Sequence, residues 1–431
     1  NQYVAPTDIT DVFSTYLYTG DTSADDDSQT LTTGVDGTEG AMVWIKNRTS
    51  AFGHILFDTE QATNLESSSS RAGLTSHATT ITSTGFSVDN GDARYNEGTT
   101  PSQHVAWTFR KAPRFFDIVT YTGDGTNNRA IPHDLGSSPG MVIVKRTSAT
   151  ENWVTWHRSL ASNKMLTFTS NATTGATPTY DSSLMTSTTI GVNSDSSSNA
   201  NGSTYVAYLF AHNDGDGEFG PDSDQDIIKC GNYAGLWEMY DSMRGLTVSG
   251  VNDARLIPSG ASAEGYGSLV EPRVDGFKLT SNGADRNASG GVYIYMAIRR
   301  GQLTPPETGA EVFAVSQQLS TLGSTPSYHS GFPVDMALNR YTTGIDAGIS
   351  DRLRGAKDLQ TTNAFAEYTN SPKTFDYMDG YYSSGAGAGS SFYSWMWKRA
   401  PSFFDVVTYS GDGVAGRTIS HNLGVAPEMM W

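Results

Sequence analysis

The chain has 431 residues, which is enough for roughly two to five domains of ordinary size. Its net charge is −17 and only 17% of its residues are charged, so it lacks the lysine and arginine clusters that a nucleic-acid backbone rewards. The single cysteine, Cys230, excludes an intrachain disulfide and a cysteine-based zinc site, and no apolar run reaches the roughly 18 residues of a membrane span. We expect a chain that folds in a reducing cytoplasm, binds no nucleic acid and does not insert into a membrane.

The composition and the periodicity both favour β-strands. The 45 glycines suit tight turns, and aromatic and β-branched residues suit a pleated sheet. In chain order, the predicted strands are AMVWIKNR (41–48), HVAWTF (104–109), GMVIVKR (140–146), TYVAYLF (204–210), VYIYMAI (292–298) and SFYSWMW (391–397). VYIYMAI is apolar on both faces, which predicts an inner strand covered on one side by the opposite sheet and on the other by a neighbouring domain or subunit. No stretch has a convincing helical pattern, so we predict an all-β chain of tandem antiparallel β-sandwich domains of the jelly-roll or concanavalin-like kind.

One stretch of the sequence occurs twice. Residues 112–143 recur at 400–431 without a gap, and 18 of the 32 aligned positions are identical. An internal repeat of this kind indicates tandem structural units.

Shorter similarities divide the chain into units of about 90–110 residues, a usual size for one β-sandwich. The predicted parts are an N-terminal extension (1–13), unit 1 (14–113), unit 2 (114–213), an acidic linker with unit 3 (214–301), unit 4 (302–402) and the start of a fifth unit (403–431). Trp431 falls where unit 2 continues as a strand, so we expect the chain to be part of a longer polypeptide.

The repeated stretch contains a serine that fits the Gly-x-Ser-x-Gly template of a hydrolase. A nucleophile elbow places its serine between a strand and a helix, whereas Ser138 is followed by Pro139 and a predicted strand. The second copy has Ala426 in place of Ser138. We interpret the motif as a turn before a strand and predict no catalytic residue.

A histidine and a Gly-Asp-Gly turn are kept in both copies. His133 recurs as His421, but the neighbouring Asp134 becomes Asn422, so a catalytic or metal-binding pair is not repeated. We predict a turn-forming histidine whose ring hydrogen-bonds nearby backbone. GDG at 123–125 and 411–413 predicts a hairpin turn, with glycine supplying a positive φ.

Two rows of alternating large side chains offer either a core or a stacking platform for sugars. The rows are Val105, Trp107 and Phe109 in one strand, and Tyr393, Trp395 and Trp397 in another. Large rings dominate sandwich cores, so we predict core positions. The aromatic loop DYMDGYYSSG (376–385) is the better candidate for contact with a receptor, because loops on a rigid sandwich usually carry recognition.

The acidic run NDGDGEFGPDSDQD (213–226) offers carboxylates at alternate spacing, as calcium favours. It departs from the EF-hand pattern, because position six is Phe219 and the closing glutamate is missing. A solvated linker is the alternative interpretation. The calcium hypothesis names Asp214, Asp216, Asp222, Asp224 and Asp226 as ligands.

Several longer segments resemble a known protein family. They are YVAYLFAHNDGDGEFGPDSDQDIIKCG (205–231), VDGFKLTSNGADRNASGGVYIYMAIRRG (274–301), GFPVDMALNR (331–340), SFYSWMWKRAP (391–401) and FFDVVTYSGDGVAGRTISHNLGVAPEMMW (403–431). In this order they resemble a family of repetitive structural proteins encoded by tailed bacteriophages, many of them marine. The resemblance implies a virion protein such as a tail fibre or an appendage of the capsid or tail. It supplies no catalytic residues.

Two hypotheses follow from the residues and the resemblance. The first is a non-enzymatic virion protein, assembled in the host cytoplasm and exposed on the particle, that presents sandwich loops for host attachment. Its expected partners are other virion proteins, a host surface glycan or protein, and further copies of itself, with a trimer expected by analogy. The alternative is a carbohydrate-binding or carbohydrate-degrading array, although a depolymerase needs two positioned carboxylates and no pair stands out.

Overall fold

The computed structural model confirms the all-β prediction. The described residues are 8–21, 28–74, 79–89, 92–96, 102–162, 164–168, 170–174, 179–220, 222–233, 237–248, 253–273, 276–283, 287, 289, 293–301, 303–317, 326–341, 347–355, 357–361, 366–368, 373–383 and 392–431. In these ranges the named strands pair antiparallel in several sheets of β-sandwich type. The only helical elements among them are single 3-10 turns at Ile9–Asp11, Ser182–Leu184 and Gly309–Glu311. No helix in the described ranges is long and apolar enough to cross a membrane.

The described residues form two compact units. The first lies within 1–239, 256–265 and 282–302, and the second within 240–255, 266–281 and 303–431. The predicted boundaries of the five sequence units stay predictions.

The first structural repeat, residues 13–110, forms a five-stranded sheet and a small sheet around one core. The five-stranded sheet has the order β1-β8-β3-β4-β5, and the small sheet has the order β2-β7-β6. Its core joins Val43, Ile45 and Phe57 of the large sheet to Phe86 and Val88 of the small one. The strands are β1 (Phe13–Thr19), β2 (Gln29–Thr32), β3 (Ala41–Asn47), β4 (Ile55–Asp58), β5 (Leu65–Glu66), β6 (Thr79–Ile81), β7 (Gly85–Val88) and β8 (Gln103–Arg110).

The second repeat has a similar plan, with six strands in its large sheet and two in its small sheet. Its strands are β9 (Phe116–Thr122), β10 (Arg129–Pro132), β11 (Pro139–Arg146), β12 (Val154–His157), β13 (Met165–Thr167), β14 (Ser170–Thr174), β15 (Thr189–Val192) and β16 (Thr204–Ala211). The large sheet has the order β14-β13-β12-β11-β16-β9, and β10 pairs with β15.

The strands between residues 228 and 298 are short. They are β17 (Ile228–Tyr233), β18 (Asp253–Arg255), β19 (Gly265–Gly267), β20 (Val270–Arg273), β21 (Gly276–Leu279) and β22 (Tyr293–Ile298). In the first compact unit β17 pairs with β22, and in the second β20 pairs with β21.

The segment VYIYMAI forms a strand, as predicted, but the prediction of an inner strand is wrong for the described residues. Val292 lies outside the described residues. Among the described strands, β22 has β17 as its single neighbour in a two-stranded sheet, and its side chains are half-buried or exposed. Two apolar faces therefore do not identify a central strand here.

The fourth repeat, residues 313–397, has a large sheet arranged like that of the first repeat. Its large sheet has the order β23-β29-β24-β25-β26, and its core contains Tyr328, Phe375, Tyr381 and Met396. The strands are β23 (Phe313–Gln317), β24 (Met336–Tyr341), β25 (Gly348–Asp351), β26 (Leu359–Gln360), β27 (Lys373–Thr374), β28 (Tyr382–Ser383) and β29 (Phe392–Trp397).

The three large sheets thus share one strand order, in which the first strand of each repeat pairs with the last and the last pairs with β3, β11 or β24. The register is also shared, because a methionine of β3, β11 or β24 lies opposite an aromatic residue of the last strand. These pairs are Met42 with Phe109, Met141 with Phe210, and Met336 with Trp397. The three sheets are therefore structurally equivalent position by position.

The large sheets of the first and second repeats pack face to face, and one of the contacts joins equivalent residues. The rings of Phe109 and Phe210 lie 5.5 Å apart in an edge-to-face arrangement. Trp44 lies 6.1 Å from Phe168, and the Tyr208 hydroxyl donates to Asp58 Oδ2 at 2.7 Å.

The burial of the two aromatic rows tests the prediction that they are core positions. Val105, Trp107 and Phe109 are buried, so the core prediction is confirmed for the first row. The second row, residues 393, 395 and 397, is only half-buried and lies outside the core cluster of its repeat, so the core prediction is wrong there.

A buried ion pair fastens residues 256–265 to the first repeat. Arg48 Nη2 donates to Glu264 Oε1 at 2.7 Å and Nε donates to Oε2 at 3.0 Å, so the guanidinium is bidentate. Both side chains are 3% exposed. The Glu264 amide also donates to the Arg48 carbonyl at 2.8 Å.

Two lysines at equivalent positions of β3 and β11 are fully buried. Lys46 Nζ donates to the carbonyls of Asn47 at 2.6 Å and Ser50 at 3.3 Å. Lys145 Nζ donates to the Arg146 and Glu151 carbonyls, each at 2.9 Å. Burial lowers the pKa of each lysine to about 8.

We expect the free energy of unfolding to rise by about 1–2 kcal/mol between about pH 8 and about pH 9. In that range the unfolded lysines still hold their protons while the folded ones have lost theirs, so the unfolded chain binds more protons and stability increases with pH. Urea titrations followed by circular dichroism measure this change. The double variant Lys46→Met/Lys145→Met should lose the rise, and a rise of equal size in that variant would assign the effect to other groups.

Candidate functional site

The repeated stretch has the same backbone geometry in both copies. Arg114 and its counterpart Ser402 both have a φ of 58°. Their amides donate to the carbonyls of Leu135 and Leu423, each at 2.7 Å. The same backbone hydrogen bond therefore forms whether the residue at this position is an arginine or a serine.

The Gly-Asp-Gly turn is confirmed as a turn but not as a hairpin. Gly125 and Gly413 have φ values of 74° and 72°, as the motif predicts. However, β9 and β10, which flank the first turn, belong to different sheets. The turn therefore carries the chain from the large sheet to the small one.

The histidine that is kept in both copies hydrogen-bonds nearby backbone, as predicted. The Leu135 amide donates to His133 Nδ1 at 3.2 Å, and the Leu423 amide donates to His421 Nδ1 at the same distance. Burial lowers the pKa of His133, which favours the neutral ring that this hydrogen bond needs. The predicted turn-forming role is confirmed.

The Gly-Ser-Ser-Pro stretch and the acidic run meet at an open cleft of about 750 Å³ in the first compact unit. Five separate segments contribute to it, because strand pairing brings the starts and ends of β11, β12 and β16 together. The lining residues are Arg114, Gly136, Ser137, Ser138, Pro139, Trp156, Arg158, Ser182, Met185, Ser187, His212, Asp214 and Asp216.

The cleft offers hydrogen-bonding groups of several kinds. Trp156 is nearly buried, and its Nε1 donates to Ser182 Oγ at 3.2 Å. The buried Ser137 hydroxyl has no hydrogen-bond partner among the described residues. Arg158 is exposed, and its guanidinium makes no hydrogen bond or ion pair within the described ranges. Hydroxyls, an indole and a guanidinium suit a polyhydroxylated ligand.

The cleft lacks the geometry of a serine hydrolase. Ser138 directly precedes strand β11 rather than a helix. His212 Nδ1 accepts a hydrogen bond from the Cys230 amide at 3.0 Å, so the neutral ring carries its proton on Nε2 and has no free lone pair. None of the described hydrogen bonds joins Ser138 to a histidine. Proton abstraction from Ser138 by His212 is therefore not supported.

Three of the five proposed calcium ligands cluster at the edge of the cleft, each engaged with a cation or backbone amides. Arg114 contacts Asp216 Oδ2 at 2.9 Å, and Lys229 contacts Asp214 Oδ1 at 2.8 Å, which lowers the pKa of that carboxyl. Asp226 accepts from the amides of Gly215 at 2.9 Å and Gly217 at 3.0 Å.

The other two proposed ligands, Asp222 and Asp224, are exposed and are not joined to this cluster by any of the described hydrogen bonds. Across the described ranges, no three histidine, cysteine, aspartate or glutamate side chains are placed to hold a metal ion. The calcium hypothesis stays a prediction, and the observed contacts describe a loop ordered by ion pairs.

We expect millimolar calcium to leave the thermal melting temperature unchanged relative to a chelator. Arg114 and Lys229 already neutralise two of the carboxylates that calcium would need, and a ligand stabilises only the state that binds it. Differential scanning calorimetry in calcium and in chelator measures this difference. A reproducible rise in calcium that disappears in an Asp214→Asn/Asp226→Asn variant would instead establish the calcium site.

The aromatic loop proposed for receptor contact is more buried than its composition suggests. Residues 384 and 385 lie outside the described residues. Tyr381 is fully buried and stacks on Tyr328 at 5.0 Å and on Phe375 at 5.2 Å. Asp379 holds the loop through the amides of Ser330 and Gly331. The prediction of an exposed aromatic loop is therefore wrong for Tyr381, which is a core residue.

Comparison with known proteins places the chain in a family. Residues 8–300, about two thirds of the chain, match the family described as "Domain of unknown function (DUF7483)". No curated protein matches the chain at a significant level. The matched residues contain both repeats that pack face to face, the cleft and the acidic run. The chain therefore belongs to the DUF7483 family.

Proposed function

We propose that the chain is a structural protein of a bacteriophage virion, a tail fibre or an appendage of the capsid or tail, that contributes to attachment at the host surface. The observation that supports this most is the use of one sheet plan three times, with two of the sheets packed on equivalent faces. Modular sheets stiffened by their neighbours suit an extended, load-bearing part. The chain lacks disulfides, so it suits assembly in the host cytoplasm.

Immunogold electron microscopy tests the location. Antibodies to the purified chain are expected to label the surface of intact particles, at the tail or at capsid appendages. Label that stays in the unassembled fraction of the lysate, with particles unlabelled, would contradict a virion role. Competition supplies the second test, because added chain should slow adsorption of the phage to its host if the chain contacts the receptor.

The cleft favours a second candidate function, the binding of a host glycan. Its serines and the unpaired Arg158 guanidinium present donors and acceptors beside the Trp156 ring, whose N–H is bonded to Ser182, without a strong net charge. In this proposal the protein binds the glycan and does not cleave it. Release of reducing ends from host polysaccharide would contradict the non-enzymatic part of the proposal.

Titration calorimetry with host polysaccharide tests the cleft directly. Arg158→Ala is expected to weaken glycan binding about tenfold or more, since a charged hydrogen-bond donor is lost. Arg71→Ala is a matched control, because Arg71 is also an exposed arginine but lies outside the cleft. Equal binding by the wild type and both variants would exclude the cleft as the glycan site.

A further inference from the structure

The two arginines that line the cleft differ in their partners. Arg114 is engaged by carboxylates, because its Nη1 contacts Asp216 Oδ2 at 2.9 Å and its Nε contacts Glu218 Oε1 at 2.8 Å. Arg158 is exposed, and its guanidinium makes no hydrogen bond or ion pair with the residues that the structure describes. Arg158 is therefore available to a ligand in a way that Arg114 is not.

The two carboxylates that line the cleft are already engaged. Lys229 Nζ contacts Asp214 Oδ1 at 2.8 Å. Asp216 accepts a hydrogen bond from the Asp214 amide on Oδ1 at 2.9 Å, in addition to the ion pair of its Oδ2 with Arg114. Each lining carboxylate thus has a cationic partner, whereas Arg158 has no anionic partner within the described ranges. The unmatched charge in the cleft is positive, although the whole chain has a net charge of −17.

Two further groups of the cleft can donate a hydrogen bond to a ligand. His212 Nδ1 accepts from the Cys230 amide, so Nε2 carries the ring proton, and none of the described hydrogen bonds uses this N–H. Ser137 is only 7% exposed, and its hydroxyl has no partner in the described part of the chain. A buried hydroxyl without a partner is costly, so a ligand that reaches it gains a hydrogen bond. The free groups therefore favour a ligand rich in acceptor oxygens.

A guanidinium presents its N–H groups in a planar fork that matches the two oxygens of a carboxylate. We propose that the cleft binds an acidic glycan, with the carboxylate of a uronic acid or another sugar acid on Arg158. The sugar oxygens accept from His212 Nε2–H and the Ser137 hydroxyl. This proposal rests on the glycan-binding function proposed above and names the class of sugar that the cleft selects.

Titration calorimetry with three forms of the host polysaccharide tests the class of sugar. The forms are the native polymer, the polymer after reduction of its carboxyl groups to alcohols, and the polymer after removal of sulfate esters. Carboxyl reduction should weaken binding by the wild type about tenfold or more, because the charged hydrogen bonds to Arg158 are lost. Desulfation should leave binding unchanged.

Two substitutions of Arg158 connect the preference to the cleft. Arg158→Ala should bind the native and the carboxyl-reduced polymer equally weakly. Arg158→Lys should keep part of the preference, because an ammonium keeps the charge but loses the two-pronged geometry. Arg71→Ala should keep the full preference, since Arg71 is an exposed arginine outside the cleft. Circular dichroism should show all three variants folded.

The outcomes separate this proposal from the function on which it rests. Binding that is weakened by Arg158→Ala but unchanged by carboxyl reduction would keep the cleft as a glycan site and overturn the acidic class. Binding lost only on desulfation would assign a sulfate ester to Arg158 and would also overturn it. A preference for the native polymer that persists in Arg158→Ala would place the carboxylate away from the cleft. Failure of the native polymer to bind would contradict the glycan-binding function itself.

Discussion

Replacing Trp153 with alanine is expected to lower the free energy of unfolding of the first compact unit by about 3–5 kcal/mol. The side chain is fully buried and stacks on Phe168 at 5.5 Å and on Tyr208 at 6.4 Å. Its Nε1 also donates to the carbonyls of Glu66 at 3.0 Å and Ser69 at 3.1 Å in the first repeat. Alanine would leave a cavity at the junction of the two sheets and two carbonyls without this donor.

Chemical denaturation followed by circular dichroism measures the loss. Trp153→Phe separates the two contributions, because it keeps a ring and removes the N–H, and should cost about 1–2 kcal/mol. Trp431→Ala is the matched control, since Trp431 is exposed, and should change stability by less than about 0.5 kcal/mol. Equal stability of Trp153→Ala and the wild type would show that the junction contributes little to the fold.

Replacing Arg48 with methionine is expected to cost about 3–5 kcal/mol, because it leaves the Glu264 carboxylate buried without its partner. Both side chains are almost inaccessible to water, so solvent cannot replace the guanidinium. The destabilised variant should regain stability at low pH, where Glu264 can take up a proton and lose its charge.

A double variant tests whether the loss of stability comes from losing the ion pair or from leaving the Glu264 charge unpaired. Arg48→Met/Glu264→Leu should recover most of the stability, because two apolar side chains of similar size often replace a buried pair with little loss. Urea titrations of the wild type, both single variants and the double variant complete the thermodynamic cycle. Failure of the double variant to recover would assign the effect to the geometry of residues 256–265 rather than to the charge.

The strands were predictable because their signal is local. The runs at 41–48 and 140–146 correspond closely to β3 and β11, since alternation and β-branched residues are read directly from neighbouring positions. The repeated sequence likewise predicted the turn glycines and the role of His133. These features depend on contacts a few residues apart.

The long-range features could not be predicted in the same way. Arg48 and Glu264 are 216 residues apart in the chain, and nothing near either residue indicates the other. The cleft joins Arg158, Trp156 and Ser182 to Ser138 only because β11, β12 and β16 are neighbours. For VYIYMAI, apolar residues on both faces predicted two covered faces, whereas the number of neighbouring strands is set by tertiary pairing.

The second copy of the repeated stretch shows which of its features are held by local contacts. Residues 400–424 keep the turn, the histidine hydrogen bond and the contact of the Asn422 amide with Asp405 Oδ2 at 2.7 Å, although this copy forms none of the named strands. Those bonds close short loops, which cost little chain entropy, whereas β9 pairs with β16, which lies far along the chain. The turn geometry of the leading segment of a repeat is therefore fixed by its own residues, and substitutions in the distant partner strand should leave it unchanged.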